Sequence, residues 1–231
     1  MPLFWSIGYT KPKTKMMLKK YILTATALFF ALATFPQNNS SARAMLDKAY
    51  AAYEASSGIR LSFQSMTLEP DGTEYISQTG IASIRGNKFK IETEAVDIWF
   101  DGETQWVLMK DVNEVNISNP TGQEIAAISP LALLGMYKNG YTLKAPLSRT
   151  LNGKNVQWIE MVPVTGNRDF KAVSVALDKS TYTLVQVILT MNNGMKNKID
   201  ITRYNANHQF DDAAFRFNKS NYPAVEMIDL R

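Results

Sequence analysis

The chain has 231 residues, 45% of them hydrophobic, with no cysteine and a single histidine, His208. This composition suits one globular domain with a sizeable core and differs from that of disordered or fibrous chains. The formal charge of +4 is unevenly placed, because residues 1–36 hold five lysines and no acid, which leaves 20 basic and 21 acidic residues beyond them. A nucleic-acid-binding domain is expected to keep a basic face, so the charge argues against that class.

The first 36 residues have the pattern of an export signal. Lys19 and Lys20 precede an uncharged apolar run over 21–35, and Ala31-Leu32-Ala33 has the small-x-small pattern that signal peptidase cleaves. The run is shorter than the roughly 20 residues that a spanning helix needs, so we expect cleavage rather than a retained anchor. We therefore expect residues 1–36 to be removed and residues 37–231 to form a single domain.

Helical spacing opens this domain and strand spacing follows it. Over 40–56 apolar residues recur at helical intervals, Ser40 or Ser41 can cap the start, and Gly58 lies where the chain leaves the helix. Beyond it the pattern has period two, and pairs such as Asp71-Gly72 and Gly86-Asn87 separate the runs as hairpin turns do. The predicted strands are 61–67, 75–85, 89–93, 97–100, 105–110 and 114–118.

A second helical pattern interrupts the strands over 123–137, where Ser129-Pro130 is typical of an N-cap followed by a first-turn proline. Further strands are predicted at 141–151, 156–164, 172–177, 184–191 and 196–204. These elements, without a βαβ rhythm, favour a mainly β fold with helices laid against it, either a closed antiparallel barrel or an open, strongly curved sheet. Either form has one face that can enclose an apolar volume.

The residue types limit the chemistry that the chain can perform. Without cysteine, and with His208 alone, histidine-activated nucleophiles and clustered zinc ligands are not expected. Paired carboxylates could support glycoside hydrolysis, but acids at turns and strand ends are common in any fold. The candidate pairs are Asp97 with Asp101 and Asp111 with Glu114. We predict no catalytic residue, no metal and no cofactor.

Methionine is frequent in the expected mature chain, with eight residues beyond position 36. Flexible thioethers suit a surface that accepts variable apolar partners, and they equally suit a methionine-rich core. Periodicity does not separate the two readings.

Four blocks of the sequence resemble LolA, the periplasmic outer-membrane lipoprotein carrier. They are residues 80–89 (GIASIRGNKF), 100–107 (FDGETQWV), 129–134 (SPLALL), and 215–217 (FRF) with 223–229 (PAVEMID). Their order and spacing agree with the family over about residues 40–231, and the aspartate-glycine-x-x-x-tryptophan block that starts at Asp101 is the most specific. Ala224 stands where the family has a glycine.

The resemblance implies an open antiparallel β half-barrel, a curved sheet covered by helices that form a lid, around an apolar cavity. It implies a non-enzymatic chaperone that holds the acyl chains of lipoproteins and shuttles them through the periplasm to the outer membrane. The implied partners are acylated lipoproteins, an inner-membrane lipoprotein-releasing transporter and an outer-membrane acceptor. We expect a monomer, since a shuttle must present its opening to two partners.

The resemblance also assigns residues. Arg85 matches a family arginine that hydrogen-bonds to the helical lid and gates the cavity, although Gly86 replaces the family's proline; the alternative is a solvated cation at a strand end. The residues expected to line the acyl cavity are Phe89, Trp99, Trp106, Leu131, Leu134 and Met136. Because successive strand residues face opposite sides, Trp99 and Phe100 cannot both line it. For the helical residues, ordinary packing against the sheet is the alternative.

Other classes of function remain open at this point. One is a β-rich interaction module of the cell envelope without an internal ligand, or a lipid-binding protein without a shuttle role. Another is a carboxylate-dependent hydrolase.

Overall fold

The structure is a computed structural model that describes residues 39–121, 124–125, 132–164 and 170–231. The predicted leader over 1–36, the Ser129-Pro130 cap and Leu131 lie outside these described residues. The contacts of the chain divide it into two units, 1–37 and 38–231, and the described residues all belong to the second.

The described elements are two α-helices, two short 3₁₀ turns and thirteen strands. The helices are α1 (Ser40–Glu54) and α2 (Ala132–Met136), and the 3₁₀ turns are Asp212–Phe215 and Lys219–Asn221. The strands are β1 (Ile59–Leu68), β2 (Glu74–Arg85), β3 (Lys88–Thr93), β4 (Val96–Phe100), β5 (Gln105–Met109), β6 (Glu114–Ser118), β7 (Tyr141–Leu143), β8 (Leu147–Leu151), β9 (Lys154–Pro163), β10 (Phe170–Asp178), β11 (Leu184–Met191), β12 (Lys196–Asn205) and β13 (Glu226–Asp229). In the described part of the chain, no helix has the length and apolar content that a membrane crossing requires.

These strands form one sheet in the order β13-β6-β5-β4-β3-β2-β1-β12-β11-β10-β9-β7, and β8 pairs with the other half of β9. Neighbouring strands are antiparallel, apart from β13, which runs parallel to β6. The outermost strands of this order, β13 and β7, do not pair with each other, so the sheet is curved and open. Of the two predicted forms, the open one is found.

Two strand predictions differ from the structure. The run predicted over 141–151 is divided into β7 and β8, because Pro146 has no N–H to continue a ladder. Strand β13 is missed altogether, since four residues are too few for alternation to stand out.

Helix α1 packs along one side of the sheet, which we call the inner face; the opposite side is the outer face. Its start is capped by Asn39, not by Ser40 or Ser41, because the Asn39 side chain accepts a hydrogen bond of 3.1 Å from the N–H of Ala42. Ala42 and Leu46 are fully buried against inner-face residues of the strands. Burial of a leucine side chain alone contributes about 2 kcal/mol, so this face anchors the helix.

The outer face is covered in part by the C-terminal segment, residues 206–231. Its apolar cluster consists of Trp99, Leu108, Val115, Ile117 and Val225, with Trp106, Phe217 and Tyr222 packed against it. The ring of Trp99 lies edge-on to Phe217 at 5.4 Å, and Tyr222 stacks on Phe217 at 5.2 Å between centroids. Strand β13 then adds to the edge of the sheet beside β6, so the C-terminal segment closes over this cluster.

Gly80 provides a test of the inner-face packing. A Cβ atom at this position would lie 2.5 Å from Cζ of Phe63 and 2.8 Å from the carbonyl oxygen of Glu92. We expect Gly80→Ala to lower the free energy of unfolding by about 1–3 kcal/mol, because the backbone oxygen cannot move aside as a side chain can. Urea denaturation measures this change. In the control Gly135→Ala, the added Cβ meets only an ordinary contact at 3.5 Å, so stability should hold or rise; equal losses in both variants would contradict the steric explanation.

Candidate functional site

A half-open cavity of about 570 Å³, lined by aromatic and polar residues, lies between the C-terminal end of α1 and the inner face of strands β2 to β4. Its lining residues are Tyr50, Tyr53, Glu54, Ile84, Gly86, Asn87, Phe89, Phe100, Gly102, Ile125 and Gly135. A second hollow, of about 410 Å³ near the C-terminal residues, is lined mainly by polar side chains. Because, among the described residues, aromatic side chains line the first cavity and not the second, the first is the candidate site for an apolar ligand.

Two phenylalanines form the floor of this cavity. Phe89 and Phe100 are directly opposite each other in the pairing of β3 with β4, and their ring centroids are 5.2 Å apart. Only 3% and 2% of their surfaces remain exposed, so both rings are held in the core as well as against the cavity. Their position follows from strand alternation, which puts cross-strand partners on the same face.

Helix α1 supplies an aromatic wall. Tyr50 and Tyr53 are three residues apart on one side of the helix, and their rings meet edge to face at 6.3 Å. The Lys138 ammonium lies 3.3 Å from the centre of the Tyr50 ring, an arrangement that a cation–π attraction stabilises. Gly135 of α2 faces the same ring, and the absence of a side chain there leaves part of the cavity empty.

Two turns that contain glycine and the phenol group of Tyr53 form the rim of the cavity. Gly86 and Gly102 have φ values of 58° and 105°, which favour glycine, and Gly102 packs against the Asn87 side chain. The Tyr53 hydroxyl crosses the rim and donates a hydrogen bond to the carbonyl oxygen of Gly86. Burial, helped by the nearby Tyr50, raises the pKa of Tyr53 to about 12.

Helix α2 is fastened to α1 by a buried tyrosine that follows its last residue. Tyr137 has no exposed surface, and its hydroxyl donates a 2.5 Å hydrogen bond to the Asp47 carboxylate. Burial and this bond raise the pKa of Tyr137 above its usual value. The contact fixes where α2 meets the cavity.

The structure places the residues predicted to line the cavity in three different settings. Phe89 lines it. Leu134 is buried in the principal core beside Gly135, and Met136 is half-buried against the same core. Leu131 lies outside the described residues.

The structure places the two predicted tryptophans away from the cavity. Trp99 is buried in the outer-face cluster and Trp106 packs against it, so neither borders the cavity. Alternation along β4 sends Trp99 outward and Phe100 inward, and the family pattern does not reveal which of the two faces the helix. The signal that distinguishes them is the pairing with Phe89, an inner-face residue.

Arg85 also differs from its predicted contact. Its side chain donates to the carbonyl oxygen of Phe210 at 2.5 Å and forms an ion pair with Asp212, both in the C-terminal segment. Lys88 reaches the same Asp212 oxygen at 2.8 Å. Because Ile84 is buried on the inner face, alternation directs Arg85 outward, and among the described residues its hydrogen bonds go to the C-terminal segment and not to α2.

Two of the four carboxylates considered for hydrolysis, Asp97 and Asp101, have ionic partners. Asp97 is nearly buried and lies 2.7 Å from the Lys110 ammonium. Asp101 accepts hydrogen bonds from two N–H groups of its own turn and pairs with Arg216 at 3.1 Å. Burial opposes ionisation of Asp101, but these bonds lower its pKa below the usual value. Across the described residues, no group of three or more histidine, aspartate or glutamate side chains is arranged to hold a metal ion.

Sequence reasoning missed the helical part of the site. Tyr50 and Tyr53 fit the periodicity of α1, but that pattern indicates only that they face the protein. Whether they meet the sheet or a cavity depends on Gly135, which is far away in the chain.

An open, curved antiparallel sheet with a helix on its inner face and a cavity beside that helix defines a LolA-like fold. The family model for the outer membrane lipoprotein carrier protein LolA matches residues 32–195. This match extends over more than half of the chain, and the protein belongs to that family.

Solved structures with a similar fold include an uncharacterized conserved protein from Thermus thermophilus, with 10% identity, a TM-score of 0.55, and coverage of 82% of this chain and 99% of that one. A LolA superfamily protein from Nitrosomonas europaea has 13% identity, a TM-score of 0.42, and coverage of 76% and 97%. The lipoprotein LppX from Mycobacterium tuberculosis has 14% identity, a TM-score of 0.47, and coverage of 75% and 100%. At these identities the likeness concerns the fold alone. Comparison with curated protein sequences finds no match.

The rim phenol generates a pH-dependent prediction. In the folded protein the Tyr53 phenol keeps its proton up to about pH 12, whereas in the unfolded chain it loses the proton near its usual pKa of about 10. The contribution of the protonated phenol to stability is therefore complete below about pH 10 and is lost between about pH 10 and pH 12. We expect Tyr53→Phe to lower the free energy of unfolding by about 1 kcal/mol at neutral pH. The variant should also lose less further stability above pH 10 than the parent does.

Urea denaturation across this pH range measures both effects. Tyr75→Phe, at a position that is 66% exposed, is the matched control and should change neither. An alkaline profile of the Tyr53 variant identical to that of the parent would contradict the assignment.

Proposed function

We propose that this protein is a periplasmic carrier that holds the acyl chains of a lipoprotein in the cavity between α1 and the sheet and delivers them to the outer membrane. The observation that carries the proposal is the cavity itself, in which the aromatic side chains of α1, β3 and β4 meet beside polar groups of the turns. Membership of the LolA family supports the same reading.

The physical requirement for such a carrier is the shielding of hydrocarbon. Each methylene group kept from water contributes about 0.8 kcal/mol, so an acylated protein cannot cross an aqueous space without cover. No catalytic step is needed. The acyl chains have only to be more stable in the carrier than in water, and more stable in the acceptor than in the carrier. We accordingly propose a binding protein rather than an enzyme.

We assign the role of the lid to α2. Its contacts with α1, through Tyr137 with Asp47 and Lys138 with Tyr50, join it to one wall of the cavity. The Leu134 and Met136 side chains pack on the core at the same place.

We also propose how the carrier is exported and how its cargo travels. Residues 1–36 would direct export and be removed. The cargo would be acylated lipoproteins, received from an inner-membrane releasing transporter and passed to an outer-membrane acceptor, with the carrier acting as a monomer.

Arg85 retains a gating role in this proposal, by a different route from the family pattern. It ties the end of β2 to Phe210 and Asp212, and the next residue, Gly86, forms the rim. Loss of the tie would loosen the rim.

Binding of a fluorescent long-chain acyl probe tests the proposed function. We expect Gly135→Leu to weaken binding by about tenfold, because the new side chain fills cavity space beside Tyr50. Gly135→Ala should have a smaller effect. Ala52→Leu places the same side chain on an exposed side of α1 and serves as the matched control, with unchanged affinity.

Native mass spectrometry of the protein purified from its own periplasm complements this experiment. Bound acylated peptide or lipoprotein supports the carrier. A ligand-free protein that also fails to take up the probe would instead favour an interaction module of the cell envelope.

The contacts of Arg85 with Phe210 and Asp212 at the rim can be tested by mutation. We expect Arg85→Leu to raise the dissociation rate of the acyl probe several-fold, measured by stopped-flow fluorescence, because the β2–β3 turn loses its anchor. Asp212→Asn should reproduce part of this increase, since it weakens the ion pair and leaves the bond to Phe210. An Arg85 effect with no Asp212 effect would contradict the ion pair as its origin.

A further inference from the structure

We propose that the free edge of β13, the side that faces away from β6, binds an extended, basic segment of a partner protein, which pairs with β13 as a further strand of the sheet. This interaction goes beyond the proposed carrier function and does not involve the acyl ligand. The residues that line the cavity include none from β5, β6 or β13, so a strand added here leaves the cavity free.

The backbone of β13 has hydrogen-bonding groups that point away from the sheet. The N–H groups of Glu226 and Leu230 bond toward β6, at 3.1 and 2.8 Å. Successive residues of a strand bond to opposite sides, so Met227 and Asp229 direct their N–H and C=O groups away from β6. Among the described residues, none forms a hydrogen bond with these backbone groups. They are the groups that an added strand would pair with.

Apolar side chains are exposed beside this edge. Met227 is 43% exposed, and it lies on the outer face next to the buried Val115 of β6. Val112, 59% exposed, precedes Asn113, whose side-chain amide donates a hydrogen bond to the carbonyl oxygen of Ala224 just before β13. A flexible thioether adapts to different apolar neighbours. An added strand would cover Met227 with a side chain of its own.

The charge at the edge indicates which kind of segment fits. Glu226 and Glu114 are directly opposite each other in the pairing of β13 with β6, which puts both carboxylates on the inner face. Neither takes part in an ion pair within the described part of the chain. Like charges opposite each other destabilise a sheet. A lysine or arginine beside Glu226 on an added strand would relieve this repulsion.

The same charges select against other occupants. Short, charged edge strands are a common protection against uncontrolled pairing, and the two glutamates repel an acidic segment. Pairing of β13 with β13 of a second copy would bring two such acidic pairs together. Because neighbouring strand residues face opposite sides, the segment that fits has an apolar residue beside Met227 and a basic residue beside Glu226.

Three labelled peptides of about eight residues test the proposal on the processed protein. The first alternates lysine with valine, the second alternates glutamate with valine, and the third alternates lysine with proline, which keeps the charge and prevents strand pairing. We expect the lysine-valine peptide to bind at least about tenfold more tightly than the other two in fluorescence anisotropy. Hydrogen exchange followed by NMR should show new protection of the Met227 and Asp229 amides in the complex, with little change at Ile228.

Variants of the edge separate its components. Met227→Pro removes an outward N–H but leaves the bonds to β6, so it should abolish peptide binding while thermal unfolding stays close to that of the parent. Met227→Ala keeps the N–H and should weaken binding less. Glu226→Gln should weaken binding several-fold. Glu74→Gln changes an exposed glutamate at the start of β2, well away in the strand order, and should leave affinity unchanged.

Several outcomes would overturn the proposal. They are equal binding of the three peptides, undiminished binding by Met227→Pro, and protection confined to other amides. Protection of Met227 and Asp229 in the free protein, together with a dimer in analytical ultracentrifugation, would also overturn it, because a second copy would then occupy the edge. The acyl-probe experiments depend on the cavity alone, so none of these outcomes bears on the carrier function.

Discussion

The packing of α1 on the inner face of the sheet is the contact on which the rest of the structure depends. A curved, open sheet has a wide apolar surface, and α1 packs small and branched side chains such as Ala42 and Leu46 against it. The cavity lies beside the last turns of α1, which carry Tyr50 and Tyr53. The helix therefore determines both the stability of the fold and the size of the site.

The outer face of the sheet depends on a second covering, made by the C-terminal segment. Trp99 and Trp106 would be exposed without Phe217 and Tyr222, and large exposed apolar patches are uncommon on proteins without a partner. Burial on both faces explains why neighbouring residues such as Trp99 and Phe100 are both apolar. It also explains why an apolar residue in this sheet does not by itself indicate the cavity.

Much of the fold could be predicted from the sequence, because hairpin turns and two-residue alternation mark each strand of the meander. The open form of the sheet could not, since closure depends on whether β7 and β13 meet, and no local pattern reports that. Within the site, Phe89 could be predicted from its family block. Tyr50, Tyr53 and Gly135 could not, because their shared surface arises from residues more than 80 positions apart. The outward direction of Arg85 was available from alternation, but the family pattern pointed elsewhere.

The ties between the C-terminal segment and the rim turns have a practical consequence. Asp212 binds Arg85 beside the first turn, and Arg216 binds Asp101 beside the second, so both borders of the opening are attached to chain on the far side of the sheet. An environment-sensitive dye on the exposed Ala213, between these two anchors, would sit outside the cavity and next to the segment that holds its mouth. Loading and unloading could then be followed in real time without a label on the lipid or in its path.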